Sequence, residues 1–252
     1  MKILFTICGR AGSKGIKGKN VRLFLDYPLV YYTLSAIELY ITAHPEHQVD
    51  VACNTDSDEL VRQISQYKEI NVICLNRAPE QTGDAVAKPD VIRDTYVRMC
   101  EQTKTIYDVI VDADITSPLR TLQDIENLVE RFEETKCEIV YSVVPARRNP
   151  YFNMVMKKEV GFGKVIPSNY VARQQAPDIY DMNASLYAYS PKWLRQKNSM
   201  NDAWCEVIIM YDTGILDLDH EQDFELMEVI AGWLYCNKEE FGVVRKQLEK
   251  SV

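Results

Sequence analysis

The sequence predicts an α/β fold, a doubly wound and mostly parallel sheet with helices on both faces. Through the first two thirds of the chain, short apolar runs alternate with segments of helical periodicity, which is the pattern of βαβ units. The chain has 252 residues, enough for one domain with a sizeable core. In sheets of this kind, ligands bind at the carboxyl ends of the strands.

The predicted elements alternate regularly as far as residue 145. The strands read KILFTIC, VDVAC, NVICL, YDVIVDAD and EIVYSVVP. Helices are predicted over 28–42, 56–66, 85–104 and 121–136. The first of these opens on a proline, which a first helical turn tolerates, and Asp56 is the predicted N-cap of the second. In the last helix, Ile125, Leu128, Val129 and Phe132 share one face.

The alternation breaks over residues 145–177, which are rich in proline and aromatic side chains. We interpret the whole chain, 1–252, as one domain from which 145–177 projects as an arm, a candidate dimer contact. Two further strands, NASLYAY and GILDLD, and an amphipathic helix over 220–234 complete the predicted elements.

Composition narrows the class of protein. The formal net charge is -8, which argues against general binding of nucleic acid or anionic membranes. The first apolar run, Ile3 to Cys8, is too short for a signal-peptide core, and no later run approaches the roughly 20 residues of a membrane span. The seven cysteines are scattered and read as reduced thiols of a cytoplasmic protein.

A basic, glycine-rich loop follows the first strand. In GRAGSKGIKGKN, from Gly9 to Asn20, every third residue is glycine, cations lie between the glycines, and acids are absent. Such a loop suits a polyphosphate; the alternative is a solvated basic loop. Neither the P-loop spacing nor the G-x-G-x-x-G dinucleotide fingerprint fits these letters.

The loop resembles that of the CMP-sugar-acid synthetases, the cytidylyltransferases for sialic acid and its relatives. TSPLRT, ARQQAP, MNASLY and LDLDHEQDFEL resemble later motifs of that family, in the family's order. VPARRNPYFN and YDMNASLY look most like the branch that activates legionaminic acid. The resemblance implies a Rossmann-like nucleotidyltransferase, a homodimer, in which CTP and a nine-carbon sugar acid react with release of pyrophosphate.

The resemblance also implies the nucleotide contacts. We expect Arg10 and Lys19 to hold the triphosphate and, with Asp219, to be the catalytic set. The predicted nucleotide-binding residues are Arg10, Gly12, Ser13, Lys19, Asn20, Arg77 and Asp84. Lys14 and Lys17 are open to interpretation as steering charges, and Arg77 as a solvated loop arginine. Arg120 is expected to anchor its loop instead of touching substrate.

Two carboxylates near the C-terminal end form the predicted metal site. Asp217 and Asp219 are two apart, so on a strand they leave the same face, and hard oxygen ligands suit Mg²⁺. The family uses this pair to hold magnesium against CTP. The alternative is that Asp219 caps the following helix.

The predicted sugar-binding residues are Asp114, Arg173, Gln174, Gln175 and Asn183. The arginine would pair with the sugar carboxylate. Asp114 falls where sialic acid synthetases carry a glutamine, and metal, substrate hydroxyl and amide remain equal readings of its partner. His44, His47 and His220 show no ligand spacing, and the first two are predicted to be inert.

The alternatives to a legionaminic acid enzyme are of three kinds. The first is the same reaction with sialic or pseudaminic acid. The second is a related nucleotidyltransferase that uses another nucleotide or sugar. The third is a catalytically silent nucleotide-binding homologue, against which the presence of Arg10, Lys19, Asp217 and Asp219 argues.

Overall fold

A computed structural model describes residues 1–12, 15–83, 86–196, 199–214, 218 and 220–252. Its strands are β1 Lys2–Gly9, β2 Leu23–Phe24, β3 Tyr27–Pro28, β4 Gln48–Thr55, β5 Val72–Asn76, β6 Val109–Ala113, β7 Ile139–Pro145, β8 Val155–Lys157, β9 Phe162–Lys164, β10 Tyr180–Tyr189 and β11 Cys205–Ile209. Its α-helices are α1 Leu29–Ala43, α2 Asp58–Gln66, α3 Lys88–Thr103, α4 Leu122–Thr135, α5 Pro191–Gln196, α6 Glu221–Asn237 and α7 Glu239–Lys250.

The central sheet has the strand order β11-β7-β10-β6-β1-β4-β5. β1 runs parallel to both β4 and β6, β4 to β5, and β11 to β7, whereas β10 is antiparallel to its neighbours β6 and β7. The predicted doubly wound, mostly parallel sheet is therefore confirmed. The strand order reverses beside β1, because β4 and β5 lie on one side of it and β6 on the other. Such a reversal opens a crevice at the carboxyl ends of the strands.

Helices cover both faces of the sheet. One apolar cluster packs α1, α4, α6 and α7 against one face, and a second packs α3 and α5 against the other. β6 is buried at all five of its residues, which is why its sequence is a continuous apolar run interrupted only by Asp112. A carboxylate in the middle of such a strand needs a partner inside the protein.

Two predicted boundaries need correction. Asp56 does not cap α2: the N-cap is Ser57, whose Oγ accepts from the Leu60 amide at 3.2 Å. Asp56 instead accepts from the Ala11 amide at 2.7 Å and ties down the glycine-rich loop. The helix expected over 85–104 begins at Lys88, because Pro89 needs no amide partner in a first turn.

The C-terminal third differs more from the prediction. β11 and α7 were not predicted. β11 is an edge strand, and its apolar run is short and partly exposed. The predicted strand GILDLD falls mostly on residues outside the described set; Gly214 and Leu218, which are described, are not in a strand. The helix expected over 220–234 is α6.

Residues 145–177 contain a small hairpin of their own. β8 and β9 pair antiparallel in a two-stranded sheet. Large apolar side chains in this segment face solvent, among them Val160 at 92% and Phe162 at 73% exposure. None of the helices in the described part of the chain is long and apolar enough to cross a membrane.

Candidate active site

A cleft of about 430 Å³ opens at the carboxyl ends of β1, β5 and β6. This is the crevice that the strand order creates. Its walls are the glycine-rich loop, the segment between β5 and α3, and the segment after β6. The lining residues are Cys8, Arg10, Gly15, Lys19, Asn20, Arg77, Gln81, Gly83, Val86, Lys88, Val91, Asp114 and Thr116.

Five of the residues predicted to bind substrate meet in this cleft. Arg10, Lys19 and Asn20 come from the glycine-rich loop, Arg77 from the end of β5, and Asp114 from the end of β6. They are far apart in sequence and meet because β1, β4, β5 and β6 are parallel neighbours with their carboxyl ends at one edge. The cleft thus combines cations with one carboxylate and an amide.

The glycine-rich loop has specific steric reasons for two of its glycines. A Cβ on Gly9 would lie 2.5 Å from Leu60 Cδ2 and 2.9 Å from Ile115 Cδ1, so a side chain there would force both of these side chains to shift. Gly18 has φ +63° and leads into the short 3-10 helix Lys19–Val21, a conformation that glycine adopts without strain. Gly12, in contrast, does not line the cleft, and a Cβ added to it meets nothing within 4 Å.

Asn20 fastens this loop from within. Its side chain is buried, and its Nδ2 donates to the backbone oxygen of Arg10 at 3.0 Å. One residue therefore lines the cleft and also fixes the path of the chain at Arg10. Loss of the amide would move a cation as well as remove a contact.

Arg77 is a buried residue and not a solvated loop arginine. It is 7% exposed, and its guanidinium donates to Asn54 Oδ1 at 3.1 Å and to the Asn54 backbone oxygen at 2.8 Å. Asn54 lies near the end of β4, so the neighbouring strand holds this arginine at the edge of the cleft. A cation held in this way presents a fixed charge to a ligand.

The floor of the cleft holds a buried ionic group that sequence reasoning missed. The Lys88 ammonium lies 2.7 Å from Asp112 Oδ2 and 2.5 Å from Asp114 Oδ2. Asp112 is fully buried, and its other oxygen accepts from Thr6 Oγ1 at 2.9 Å. The carboxylate in the middle of β6 thus has its partners. The signal in the sequence was the Asp-x-Asp spacing at the end of an apolar strand, but the cation that pairs with both carboxylates could not be read from it.

Asp114 is held as a carboxylate. Burial on its own would raise its pKa, but the Lys88 ammonium and two donors of Thr116, at 2.8 and 2.7 Å, lower the pKa of Asp114 to about 2. For Lys88, burial on its own would lower the pKa, but the two aspartates raise the pKa of Lys88 well above its usual value. Both groups are therefore charged at neutral pH, and Asp114 is a hydrogen-bond acceptor and a weak base.

Arg120 anchors its loop, as predicted. It is 1% exposed and donates to the backbone oxygens of Asp114 and Ser117 and to the hydroxyls of Thr33 and Ser185. Burial lowers its pKa to about 10, so it stays a cation at neutral pH. Its function in the fold is to fix the segment that carries Asp114.

The residues predicted to bind the sugar do not all lie together. Arg173 and Gln174 line a second cavity of about 440 Å³, formed by the arm and the start of β10. Arg173 donates to the backbone oxygen of Ala146 at 2.6 Å. Gln175 accepts from the backbone amides of Val171 and Ala172 at 3.2 and 3.3 Å and so closes a turn of the arm.

Asn183 lies inside the fold. It is 6% exposed, its Oδ1 accepts from Ser142 Oγ at 2.5 Å, and its Nδ2 contacts Met210 Sδ at 3.3 Å. Ala184 next to it has φ +53°, at an irregularity of β10 between Met182 and Tyr187. Within one chain, Asp114 is the member of the predicted sugar set that lines the cleft beside the glycine-rich loop.

Four predicted residues lie outside the described part of the chain: Ser13, Asp84, Asp217 and Asp219. The predicted metal pair therefore stays a prediction. The alternative was that Asp219 caps the following helix, but the capping residue is its neighbour in the sequence. His220 is the N-cap of α6, and its amide donates to Asp223 Oδ2 at 2.9 Å in a capping box.

Known proteins resemble this chain over most of its length. The family model described as "Cytidylyltransferase" matches residues 4–212. A post-translational flagellin modification protein B of Campylobacter coli is 35% identical over 91% of this chain and 94% of its own length. A CMP-N,N'-diacetyllegionaminic acid synthase of Campylobacter jejuni is 33% identical over 95% of this chain and 99% of its own. Among solved structures, a CMP:2-keto-3-deoxy-manno-octonic acid synthetase complexed with CTP has a TM-score of 0.65 at 14% identity, covering 92% of this chain and 99% of that one.

Proposed function

Because this chain belongs to the cytidylyltransferase family, we propose that it transfers the cytidylyl group of CTP to a nine-carbon α-keto sugar acid. The observation that carries the proposal is the cleft, whose lining includes the cations Arg10, Lys19 and Arg77 and the carboxylate of Asp114. The cations suit a triphosphate, and the ionised acceptor suits hydroxyl or amide groups of a substrate.

The reaction balances without a covalent enzyme intermediate. The anomeric hydroxyl oxygen attacks the α-phosphorus, the bond to the bridging oxygen of the β-phosphate breaks, and pyrophosphate leaves with that electron pair while the hydroxyl proton passes to solvent. Arg10 and Lys19 neutralise charge on the triphosphate, which is the largest contribution a protein makes to such chemistry. Asn20 and Arg77 orient the nucleotide.

Asp114 serves as an acceptor and not as the general base. A carboxylate with a pKa of about 2 takes a proton poorly at neutral pH. Lys88, between Asp112 and Asp114, keeps the floor of the cleft from repelling a polyanion. Of the three readings of Asp114 that the sequence left open, these contacts favour a substrate hydroxyl or an amide over a metal ion.

The proposed cofactor is Mg²⁺, held by Asp217 and Asp219. A divalent ion held there would neutralise part of the triphosphate charge. Two carboxylates are hard oxygen ligands of the kind that Mg²⁺ prefers. The remaining triphosphate charge would be neutralised by the cations of the glycine-rich loop, Arg10 and Lys19.

The proposed sugar is legionaminic acid or its N,N'-diacetyl form, as the name of the Campylobacter jejuni relative suggests. Sialic and pseudaminic acids are the alternatives. Arg173 and Gln174 are the proposed carboxylate and acyl contacts. Since they lie in the arm, we place them toward the cleft of a second copy in a cytoplasmic homodimer.

Pyrophosphate release tests the proposal. The purified protein with Mg²⁺ is expected to release pyrophosphate from CTP with legionaminic acids, and more slowly or not at all with sialic and pseudaminic acids. Preference for sialic acid would overturn the choice of sugar alone. CTP binding without release from any sugar acid would favour a silent homologue, and release from ATP or GTP but not CTP would reject the nucleotide.

Asp219→Ala tests the metal pair. The variant is expected to lose at least about a hundredfold in turnover, because the triphosphate loses its counter-ion, while its circular dichroism and unfolding midpoint match the parent. Asp223→Ala, four residues on in α6, is the control that removes a nearby carboxylate that caps this helix. Near-parent turnover of Asp219→Ala would remove that residue from the metal site.

A further inference from the structure

A tight turn on the far side of the molecule gathers two histidines and a glutamate. His44-Pro45-Glu46-His47 lies between α1 and β4, at the amino end of the sheet, whereas the cleft lies at the carboxyl end. The His47 amide donates to the His44 backbone oxygen at 3.0 Å, and proline at the second position is typical of such a turn. The turn brings together side chains that the sequence suggested were inert.

The inner atoms of these side chains converge. Glu46 Oε1 lies 3.1 Å from His44 Nδ1 and 3.6 Å from His47 Nε2. Two ligands of a tetrahedral zinc ion with bonds of 2.0–2.1 Å are about 3.3 Å apart. The ligand atoms of all three residues lie within 4.8 Å of one another, and no other such group of His, Cys, Asp and Glu occurs in the part of the chain that is described.

The outer ring nitrogens of both histidines are held by other elements. His44 Nε2 lies 2.9 Å from Glu126 Oε1 on α4, and His47 Nδ1 lies 2.8 Å from the Tyr40 hydroxyl on α1. In metal sites, the nitrogen away from the metal usually donates to a carboxylate or another oxygen, which fixes the tautomer and the ring. Here both histidines have that partner, and the nitrogens left over are the two that face Glu46.

The surroundings are acidic. One face of α4 carries Glu126, Glu130 and Glu133. Burial raises the pKa of Tyr40, and the charges of these three glutamates and of Glu46 raise it further. The positive charge of the Met1 amino group acts in the opposite sense and lies near His47. The two imidazole rings stack at 5.4 Å between centroids with 15° between their planes, so the cluster is already ordered around the turn.

We propose that His44, Glu46 and His47 form a second metal site, for a transition-metal ion of the Zn²⁺ class, separate from the proposed magnesium site. Two imidazoles and one carboxylate favour Zn²⁺, Ni²⁺ and Co²⁺ over Mg²⁺. Three protein ligands leave a coordination position for water. Through Glu126 the ion ties the end of α1 to α4, so its binding stabilises the amino end of the sheet.

Cobalt absorption is the direct test. The full chain, without an affinity tag and stripped of metal, is titrated with Co²⁺ in saturating Mg²⁺, which fills the proposed magnesium site. The expected result is one equivalent of Co²⁺ with visible ligand-field bands, displaced by Zn²⁺, and a Zn²⁺-dependent rise in the unfolding temperature. Sulfur-to-cobalt charge-transfer absorption would instead assign the ion to cysteine and overturn the proposal.

Three variants locate the ion. Glu46→Gln changes an exposed side chain and is expected to weaken Co²⁺ binding by more than about tenfold, as is the double variant His44→Gln/His47→Gln; Glu126→Gln, which removes only a support, should cost about tenfold. His220→Gln, a histidine outside the cluster, should leave Co²⁺ binding unchanged. Parent-like binding in Glu46→Gln and in the double variant would overturn the proposal.

Discussion

At the scale of single residues, the fold brings charges that are far apart in the sequence into one cleft and fixes them by neighbouring residues. Arg77 is fixed by Asn54 and Arg10 by the amide of Asn20. Lys88 differs from these because it pairs with the protein carboxylates of Asp112 and Asp114 and so neutralises charge at the floor of the cleft. Removing it should therefore weaken the binding of an anion that it does not need to touch.

Lys88→Met is expected to weaken CTP binding on the order of tenfold, because the cleft floor then carries two carboxylates without a cation. Isothermal titration with CTP measures the dissociation constant. Lys88→Arg keeps the charge and should lose less. The double variant Lys88→Met/Asp112→Asn, which restores the net charge of the group, should recover part of the affinity. Equal affinity in Lys88→Met and the parent would refute this electrostatic role.

The sequence predicted which charges meet but not how they are held. Arg10, Lys19, Arg77 and Asp114 each follow a predicted strand, and strand ends of a parallel sheet share one edge, so their meeting followed from topology. Lys88 was missed because nothing local to its helix reveals a pair of aspartates more than 20 residues downstream. The histidine turn was missed because its support comes from Glu126 on another helix.

At the scale of elements, α4 shows a start that its sequence encodes. Thr121 Oγ1 accepts from the Asp124 amide at 3.2 Å, and Asp124 accepts from the Thr121 amide at 2.8 Å. This capping box satisfies two amides that the first turn leaves without helical partners. It stands directly after Arg120, so the same turn begins α4 and ends the segment that carries Asp114.

Thr121→Ala should lower the free energy of unfolding by about 1 kcal/mol, the usual cost of a lost N-cap. Urea unfolding followed by circular dichroism measures it. Thr121→Ser keeps the hydroxyl and should restore most of the loss. Gln123→Ala, an exposed position in the same turn, should change the free energy by less than about 0.5 kcal/mol. Equal stability of Thr121→Ala and the parent would show that the box does not stabilise α4.

The elements that the sequence predicted well are those with a strong local pattern. The buried strands β1, β4, β5, β6 and β7 and the helices α1 to α4 all coincide with predicted segments, since apolar periodicity alone defines them. The edge strand β11 depends on pairing with β7, a long-range contact, and could not be read from five residues. The predicted start of a helix was wrong where a capping residue sets it, as Ser57 does for α2.

At the scale of the whole molecule, the arm presents apolar surface that one chain leaves in water. Val155, Val160, Phe162 and Val171 are all more than 60% exposed, which is typical of a protein interface when such residues cluster. The proposed sugar contacts Arg173 and Gln174 lie in the same arm. A homodimer would cover the apolar residues and carry these polar ones to a second cleft.

Phe162→Asp/Val160→Asp should convert the proposed dimer into monomers, because two buried carboxylates without partners cost more than the interface gains. Sedimentation velocity gives the oligomeric state. Ile106→Asp, an equally exposed apolar residue outside the arm, is the control and should stay dimeric. A monomeric parent protein, or a double variant that remains dimeric, would contradict the role of the arm.

The central claim is that this cleft joins CMP to a sugar acid, and the product itself tests it most directly. The protein is incubated with CTP, N,N'-diacetyllegionaminic acid and Mg²⁺, and the mixture is followed by phosphorus NMR and mass spectrometry. The expected products are a CMP–sugar diester and pyrophosphate in equal amounts, with Lys19→Met reducing both together. CTP that binds but remains intact, or pyrophosphate that forms without the diester, would contradict it.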